Sequence, residues 1–425
     1  MEHKFFALAI FLLAYFLFVA LPHKRTLVAL IAALAIIISR TITLKEAFIS
    51  VNWNVMGIFV GTLVMADLFM ESRMPAYLSE LIVNQSRSLC AALLFICALT
   101  GFISAFVENV ATVLIVAPIA LALAKKLNIS PVKLIIAIAI SSNLQGTATL
   151  IGDPPSMLLG GFAKMNFMDF FFYHGKPSIF FAVQIGAVVS FFVLYYIFRK
   201  QKGKPELLRV EKIKTWVPTI LLVGLIISLA LSSFFDTGFS YLAGIICIVF
   251  ALGGILWDKA ANKGKFFPRI QNLDWDTTFF LMGVFILVGS LTLTGWVEVF
   301  ATYASGLIGQ NILVGFIMLV AISVLLSAFI DNVPFLAAML PVAISIANKL
   351  SIEPTLLLFG LLVGASLGGN VTPIGASANI VAMGILKKEG HDVKFGEFMK
   401  IGLPFTIAAV AAASVFIWFV WGPKL

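Results

Sequence analysis

An internal repeat constrains this chain more than any other feature. The residues from Ser104 onward align without a gap with those from Ser327 onward, at a constant offset of 223 residues. Each copy contains a long apolar run with a polar tip, SAFVENV in the first and SAFIDNV in the second, followed by another apolar run that is interrupted near its middle. A duplication of this extent predicts two halves built on one plan.

The interrupted runs cannot form continuous helices. The first is broken by Gly146 to Ser156 (GTATLIGDPPS) and the second by Gly368 to Asn379 (GGNVTPIGASAN). Glycine and threonine lower helix propensity, and proline lacks the N–H that a helix interior needs. An opened backbone survives in lipid only where protein, ions or a water-filled cavity satisfies it. We therefore expect two broken helices, and Asp153 should cap a new half-helix that begins at Pro154.

The composition defines the class of protein. With 61% hydrophobic and 12% charged residues, the chain is predicted to be a multi-pass helical protein of the cell membrane. The net charge of +9 does not indicate nucleic-acid binding, because the basic residues cluster in loops between apolar segments. The three cysteines show neither CxxC nor Cys/His spacing, so no disulfide framework, metal site or cofactor is expected. A Walker A loop is absent from the sequence, which excludes an ATP motor within the chain.

Charge in the loops predicts the topology. The apolar runs 92–125 and 311–350 exceed a single crossing and are interpreted as re-entrant hairpins. The basic loop 199–214 should be cytoplasmic, whereas 232–239 and 297–310 lack Lys and Arg and should lie outside. The predicted fold class is thus all-α, an inverted repeat of about 10 transmembrane helices plus two hairpins and two broken helices, with both termini outside.

The predicted domain boundaries follow the repeat. They are 1–198 for the first half (scaffold helices 1–90, hairpin and broken helix 91–176, closing helix 177–198), 199–214 for a cytoplasmic basic linker, and 215–425 for the second half (scaffold helices 215–310, hairpin and broken helix 311–387, closing helix 402–421).

Three carboxylates stand out in otherwise neutral motifs, namely Glu108 and Asp331 at the hairpin tips and Asp153 at the first break. A carboxylate at this depth is costly and usually belongs to a proton or cation pathway. Because the tip and break motifs contain no Arg or Lys, an acidic site without basic partners is expected. The alternative is that these side chains only cap helices. Asp67 is expected to be paired or to face a water crevice.

The motifs SSNLQGTATLIGDPPS (141–156), SAFIDNVP (327–334) and GGNVTPIGASAN (368–379) resemble an ion transporter superfamily. It includes the arsenical pump membrane protein ArsB, the melanosomal P protein, citrate and dicarboxylate carriers and a sodium/proton antiporter branch, and the motifs look most like the ArsB and P-protein branch. The resemblance implies a scaffold domain, a mobile transport domain made of both hairpins and both broken helices, and elevator-like alternating access.

The resemblance also implies which residues form the site. Coupling of a proton or other ion is expected at Glu108, Asp153 and Asp331, and a sodium ion could be held by Asn109, Thr149 and Asp153. The expected substrate-binding residues are Asn109, Asn143, Thr147, Thr149, Asn332, Asn370, Thr372, Ser377 and Asn379. Since Ala376 stands where the first copy has Asp153, we expect the first copy to bind the coupling ion and the second the substrate.

The expected function is secondary active transport of an inorganic ion or small arsenite-like oxyacid, coupled to a proton or sodium gradient. A sodium/proton antiporter, a dicarboxylate or citrate carrier and an ion channel are the alternatives. Dicarboxylate carriers of the superfamily have Ser-Asn-Thr at the tips, whereas this chain has Glu108-Asn109-Val110 and Asp331-Asn332-Val333. A membrane-embedded hydrolase is disfavoured, so no enzymatic activity is expected. The expected partners are the lipid bilayer and the substrate, with a second copy of the chain and a cytoplasmic ATPase left open.

Overall fold

The computed structural model describes residues 2–127, 129–201, 203, 212–236, 238–262, 266–271, 273–309 and 311–423. Most of these residues are helical, and nine of the described helices are long and apolar enough to cross a membrane. Of the predicted linker 199–214, residues 202 and 204–211 lie outside the described residues. The division of the chain at that linker stays a prediction.

The described residues of the first half form ten α-helices. They are α1 (Glu2–Ala20), α2 (Arg25–Ile38), α3 (Leu44–Ser50), α4 (Trp53–Glu71), α5 (Met74–Gln85), α6 (Leu89–Ser104), α7 (Asn109–Lys126), α8 (Val132–Gly146), α9 (Pro154–Ala163) and α10 (Ile179–Phe198). Between α9 and α10, the two-residue strands β1 (Phe172–Tyr173) and β2 (Lys176–Pro177) pair antiparallel. This pairing is a small departure from the predicted all-α fold.

The second half repeats this order. Its helices are α11 (Val217–Ser232), α12 (Leu242–Asn262), α13 (Phe266–Gln271), α14 (Trp275–Leu293), α15 (Trp296–Ile308), α16 (Ile312–Ser327), α17 (Asn332–Lys349), α18 (Pro354–Gly368), α19 (Ser377–Lys388) and α20 (Phe395–Trp421). The two hairpins, α6–α7 and α16–α17, and the two broken helices, α8–α9 and α18–α19, are therefore present as predicted.

Four helices were not predicted, and they occur as equivalent pairs. The short helices α3 and α13 precede α4 and α14, while α5 and α15 connect α4 and α14 to the hairpins. In α15 only one stripe, which includes Val297 and Ala301, is buried. Such a half-buried helix lacks the long apolar run by which spans were recognised. The last helix also begins at Phe395, not at residue 402 as predicted.

The helices pack in two groups. In the first, α4 packs against α12 and α2 against α14; in the second, the hairpins and broken helices pack on one another and on α10 and α20. Gly57 and Gly61 bring the backbones of α4 and α12 together, since a Cβ at Gly61 would lie 2.5 Å from the carbonyl carbon of Cys247. Small residues at this spacing allow two helices to approach closely. At the centre of the second group, α18 is buried from Thr355 to Gly368.

Candidate functional site

Each hairpin turns at a carboxylate that caps the returning helix. The Glu108 carboxylate accepts a hydrogen bond from the Ala111 N–H at 2.9 Å, and Asp331 accepts one from the Val333 N–H at 3.0 Å. These bonds satisfy N–H groups that have no partner within the first turn of α7 and α17. Both residues therefore cap helices, and each carboxylate has a second oxygen that does not accept these bonds.

A threonine joins each break to the neighbouring hairpin tip. The Thr149 hydroxyl donates to the Ala105 carbonyl, and the equivalent Thr372 hydroxyl donates to the Ala328 carbonyl. Both carbonyls belong to residues that follow the outgoing hairpin helix, where no further helical N–H is available to them. The threonines therefore fix each tip to its own broken helix, and they do so identically in the two copies.

Glycines allow the backbone to close on itself at each break. A Cβ at Gly152 would lie 2.2 Å from the Gly146 carbonyl oxygen, and a Cβ at Gly375 would lie 2.6 Å from that of Gly369. Real Cβ atoms do not approach so closely, so a side chain at Gly152 or Gly375 would force the loop open.

Asp153 is buried at the first break. Its carboxylate accepts from the Ser156 N–H at 2.9 Å and from the Thr147 hydroxyl at 3.5 Å, and the residue is 1% exposed. It thus caps α9, as predicted. Ala376 occupies the equivalent position before α19 and offers no side-chain cap.

Buried asparagines connect the two broken helices. The Asn143 side chain accepts from Asn109 at 3.0 Å and donates to Asn370 at 2.8 Å and to Asn379 at 2.9 Å. Asn379 in turn donates to the Gly369 and Thr372 carbonyls, both at 3.0 Å, and so satisfies backbone at the second break. These groups form one network through both copies, because an amide left without partners at this depth would be costly.

A cavity of about 250 Å³ lies between the two hairpin tips and the starts of α9 and α19. Five of the predicted site residues line it: Glu108, Asn109, Asp331, Asn332 and Ser377. The other seven are outside its lining, and all of them are buried: Asn143, Thr147, Thr149, Asp153, Asn370, Thr372 and Asn379. The two copies of the repeat therefore meet at one cavity, and the other predicted site residues are buried outside its lining.

The expectation that this site lacks a basic partner is wrong. Arg25, at the start of α2, forms an ion pair with Asp331 and donates to the Thr277 hydroxyl at 3.4 Å. Asp274 and Asp276 also line the cavity, so the described residues that line it include four acidic residues and one arginine. The motifs could not show this arginine because it lies 306 residues from its partner. In the sequence, Asp274-Trp275-Asp276 resembles Asn52-Trp53-Asn54 at the start of the equivalent helix, a similarity that indicates the repeat but not a site.

Asp67 is paired, as one of its two interpretations predicted. Arg269 donates to Asp67 at 2.5 Å, to Glu71 at 2.6 Å and to Asp258 at 2.8 Å. This cluster joins α4, α12 and α13 and does not line the cavity.

Hairpins, broken helices and a cavity between two inverted copies define a multi-pass membrane transporter. The chain belongs to the citrate transporter family, CitMHS, whose profile matches residues 15–364 and 269–424.

Relatives along the whole chain are also transporters. An uncharacterized transporter of Mycobacterium tuberculosis is 28% identical over 97% of both chains, and one of Synechocystis is 29% identical over 97% of this chain and 96% of its own. The mouse P protein is 26% identical over 89% of this chain but only 56% of its own length. The superfamily indicated by the motifs is confirmed.

Two solved transporters share the fold. The YdaH transporter of Alcanivorax borkumensis, described as having an unusual topology, aligns with a TM-score of 0.60 at 14% identity and covers 87% of this chain and 85% of its own. MtrF of Neisseria gonorrhoeae, described as illuminating a class of antimetabolite efflux pumps, aligns with a TM-score of 0.57 at 16% identity. The alignment covers 92% of this chain and 85% of MtrF. The predicted fold class is confirmed.

Proposed function

We propose that the protein is a cation-coupled secondary transporter of the ArsB and P-protein type, which moves an inorganic ion or small arsenite-like oxyacid across the cytoplasmic membrane. The observation that carries the proposal is the cavity where Glu108, Asp331 and the starts of both half-helices meet. Helix N-termini favour negative or electron-rich ligand atoms, whereas the carboxylates favour a proton or sodium ion. One small site can thus bind a substrate together with its coupling ion.

The charge of the cavity guides the choice among substrates. Among the described residues that line it, Glu108, Asp274, Asp276 and Asp331 contribute four carboxylates against one guanidinium, that of Arg25. A di- or tricarboxylate would meet net repulsion there, whereas a neutral oxyacid or an inorganic cation would not. The charge balance therefore argues against citrate as the substrate, although the family carries that name. A sodium/proton antiporter is the second candidate, because the same carboxylates could serve the ions alone.

We propose elevator-like alternating access for the movement itself. In this mechanism the hairpins, broken helices and closing helices travel as one unit along the group that contains α2, α4, α12 and α14. The threonine and asparagine bonds support the proposal, since they join both tips and both breaks. Sodium or a proton is the proposed coupling ion, and a second copy of the chain and a cytoplasmic ATPase are the proposed partners.

The test is an uptake screen in proteoliposomes. Purified protein is given arsenite, antimonite, citrate, succinate or sodium under imposed proton and sodium gradients, and the Glu108→Gln variant is measured beside the wild type. We expect gradient-driven uptake of a neutral oxyacid or an inorganic ion, and loss of that uptake in the variant. Gradient-driven citrate uptake would contradict the proposed substrate class, and uptake of sodium alone against a proton gradient would favour the antiporter.

A further inference from the structure

One ion pair connects the two groups of helices at the cavity. Arg25 belongs to the α2–α14 wall: its guanidinium donates to Thr277 at 3.4 Å and lies 5.0 Å from the Phe280 ring centroid. The next residue, Thr26, donates to the Asp276 carbonyl at 3.0 Å. These contacts hold the guanidinium on the wall whether or not Asp331 is near.

The other end of the pair is fixed to the moving group. Asp331 caps α17 through the Val333 N–H, and the same tip is joined to the second break by the bond from Thr372 to Ala328. A force on the Asp331 carboxylate therefore acts on the hairpin and broken helix together. The pair links two bodies that the proposed elevator movement would separate.

A second contact strengthens this link. The Tyr15 hydroxyl of α1 donates to the Pro334 carbonyl at 2.6 Å, in the first turn of α17. At the first tip, none of the described residues forms a salt bridge with Glu108, the equivalent of Asp331. The repeat is therefore asymmetric: α1 and α2 hold the second tip by a charged and a neutral bond.

We infer that Arg25 is a latch, a positioning residue that holds the second hairpin on the α2–α14 wall in this state and must leave Asp331 before the hairpin can move. Asp274, which caps α14, and Asp276, in its first turn, line the same cavity. They offer the guanidinium new carboxylate partners on the wall, so that no unpaired charge remains when Asp331 departs. The inference rests on the proposed elevator transport.

The latch can be tested without a substrate. Spin labels on cysteines at Lys259, near the end of α12, and Lys388, at the end of α19, report the distance between the two groups; both positions are exposed. Native Cys90, Cys97 and Cys247 are replaced by alanine. Wild type, Arg25→Gln, Asp331→Asn and the double variant are compared in nanodiscs, with Arg40→Gln at the other end of α2 as the control.

We expect both single variants to shift the distance distribution in the same direction, the double variant to shift it no further, and the control to match wild type. An Arg25→Gln distribution identical to wild type, or a double-variant shift equal to the sum of the single shifts, would overturn the latch. If Arg25→Gln does not yield folded protein, Tyr15→Phe replaces it: a smaller shift in the same direction supports the latch, and no shift overturns it.

The two proposals fail separately. If the protein transports none of the offered ions, the spin-label distances can still be measured, and only the proposed function fails. If the protein transports but Arg25→Gln leaves the distances unchanged, only the latch is contradicted.

Discussion

The side-chain amide of Asn143 donates a hydrogen bond to that of Asn370 at 2.8 Å and so joins the two broken helices directly. Residues at these positions come from different copies of the repeat, yet they are not equivalent within it. The equivalent of Asn143 is Ser366, a buried residue whose hydroxyl has no partner among the described residues. Asn143 of the first copy therefore connects the two broken helices, whereas its equivalent in the second copy forms no such bond among the described residues.

Replacing Asn143 should destabilise the whole centre of the protein. Asn143→Ala leaves amide groups of Asn109, Asn370 and Asn379 without this partner. Each unsatisfied buried group costs about 1–3 kcal/mol. We expect a clearly lower melting temperature in detergent and loss of uptake. Ser366→Ala is the matched control and should melt like wild type; equal losses in both variants would contradict the network's role.

The cap and the charge of Asp153 can be separated. Asp153→Asn keeps an acceptor for the Ser156 N–H, whereas Asp153→Ala removes it. Loss of a cap costs about 1 kcal/mol, so only the alanine variant should melt appreciably earlier. If Asp153 also binds the coupling ion, Asp153→Asn should change the sodium or pH dependence of uptake at unchanged stability. Uptake that keeps its ion dependence would leave Asp153 as a cap alone.

The two hairpin asparagines should differ in their effect on substrate. Both groups of the Asn109 amide are engaged, by the Val110 N–H at 2.9 Å and by Asn143, whereas Asn332 lines the cavity with no side-chain bond to a described residue. Asn332→Ala should therefore weaken apparent substrate affinity several-fold, about 1 kcal/mol, at unchanged ion dependence. Asn109→Ala should lower stability as well. Titration of uptake against substrate and ion checks both, and identical profiles would rule out the expected division between the copies.

Labelling can establish the proposed topology. Lys200→Cys, within the predicted basic linker, should react with a membrane-impermeant maleimide only from the cytoplasmic side. Phe235→Cys, at a position that is 84% exposed, should react only from outside. Labelling of both from one side would contradict the predicted orientation of the loops.

Arg269 should contribute to the stability of the protein and not to substrate binding. Its side chain is 8% exposed and contacts three carboxylates. Arg269→Gln removes the only cation contacting Asp67 among the described ion pairs, and removal of one partner from a buried pair is strongly destabilising. Since Asp67 and Glu71 are partly exposed, we expect a loss of about 2 kcal/mol. Arg199→Gln, an exposed arginine that packs on Tyr196, is the control. An Arg269→Gln protein that melts like this control would show that the cluster contributes little.

The hairpins and breaks could be predicted because their signals are local. Gly152 and Pro154 disrupt the helix through the backbone itself, and the apolar runs around them form helix. Because the repeat has no gap, the elements of the first copy predict those of the second. The helices α5 and α15 gave no such signal, since at 12 and 13 residues they are too short to appear as membrane-spanning apolar runs. Contacts over long separations were also inaccessible: nothing near Asp331 in the sequence indicates Arg25, and nothing near Asn143 indicates Asn379. Those pairings depend on how the copies pack, which local propensity does not determine.

The glycine contact between α4 and α12 has a consequence for leakage. At Gly57 a Cβ would lie 3.0 Å from the Gly244 Cα, so backbone meets backbone with no side chains between them. A contact of this kind leaves no space for water, and it contains no side chain whose change of rotamer could open a path for ions. A protein that works against an ion gradient dissipates that gradient through every gap beside its moving parts. In the proposed elevator mechanism, the group that contains α4 and α12 stays fixed, so we expect this contact to remain closed to ions while the other group moves.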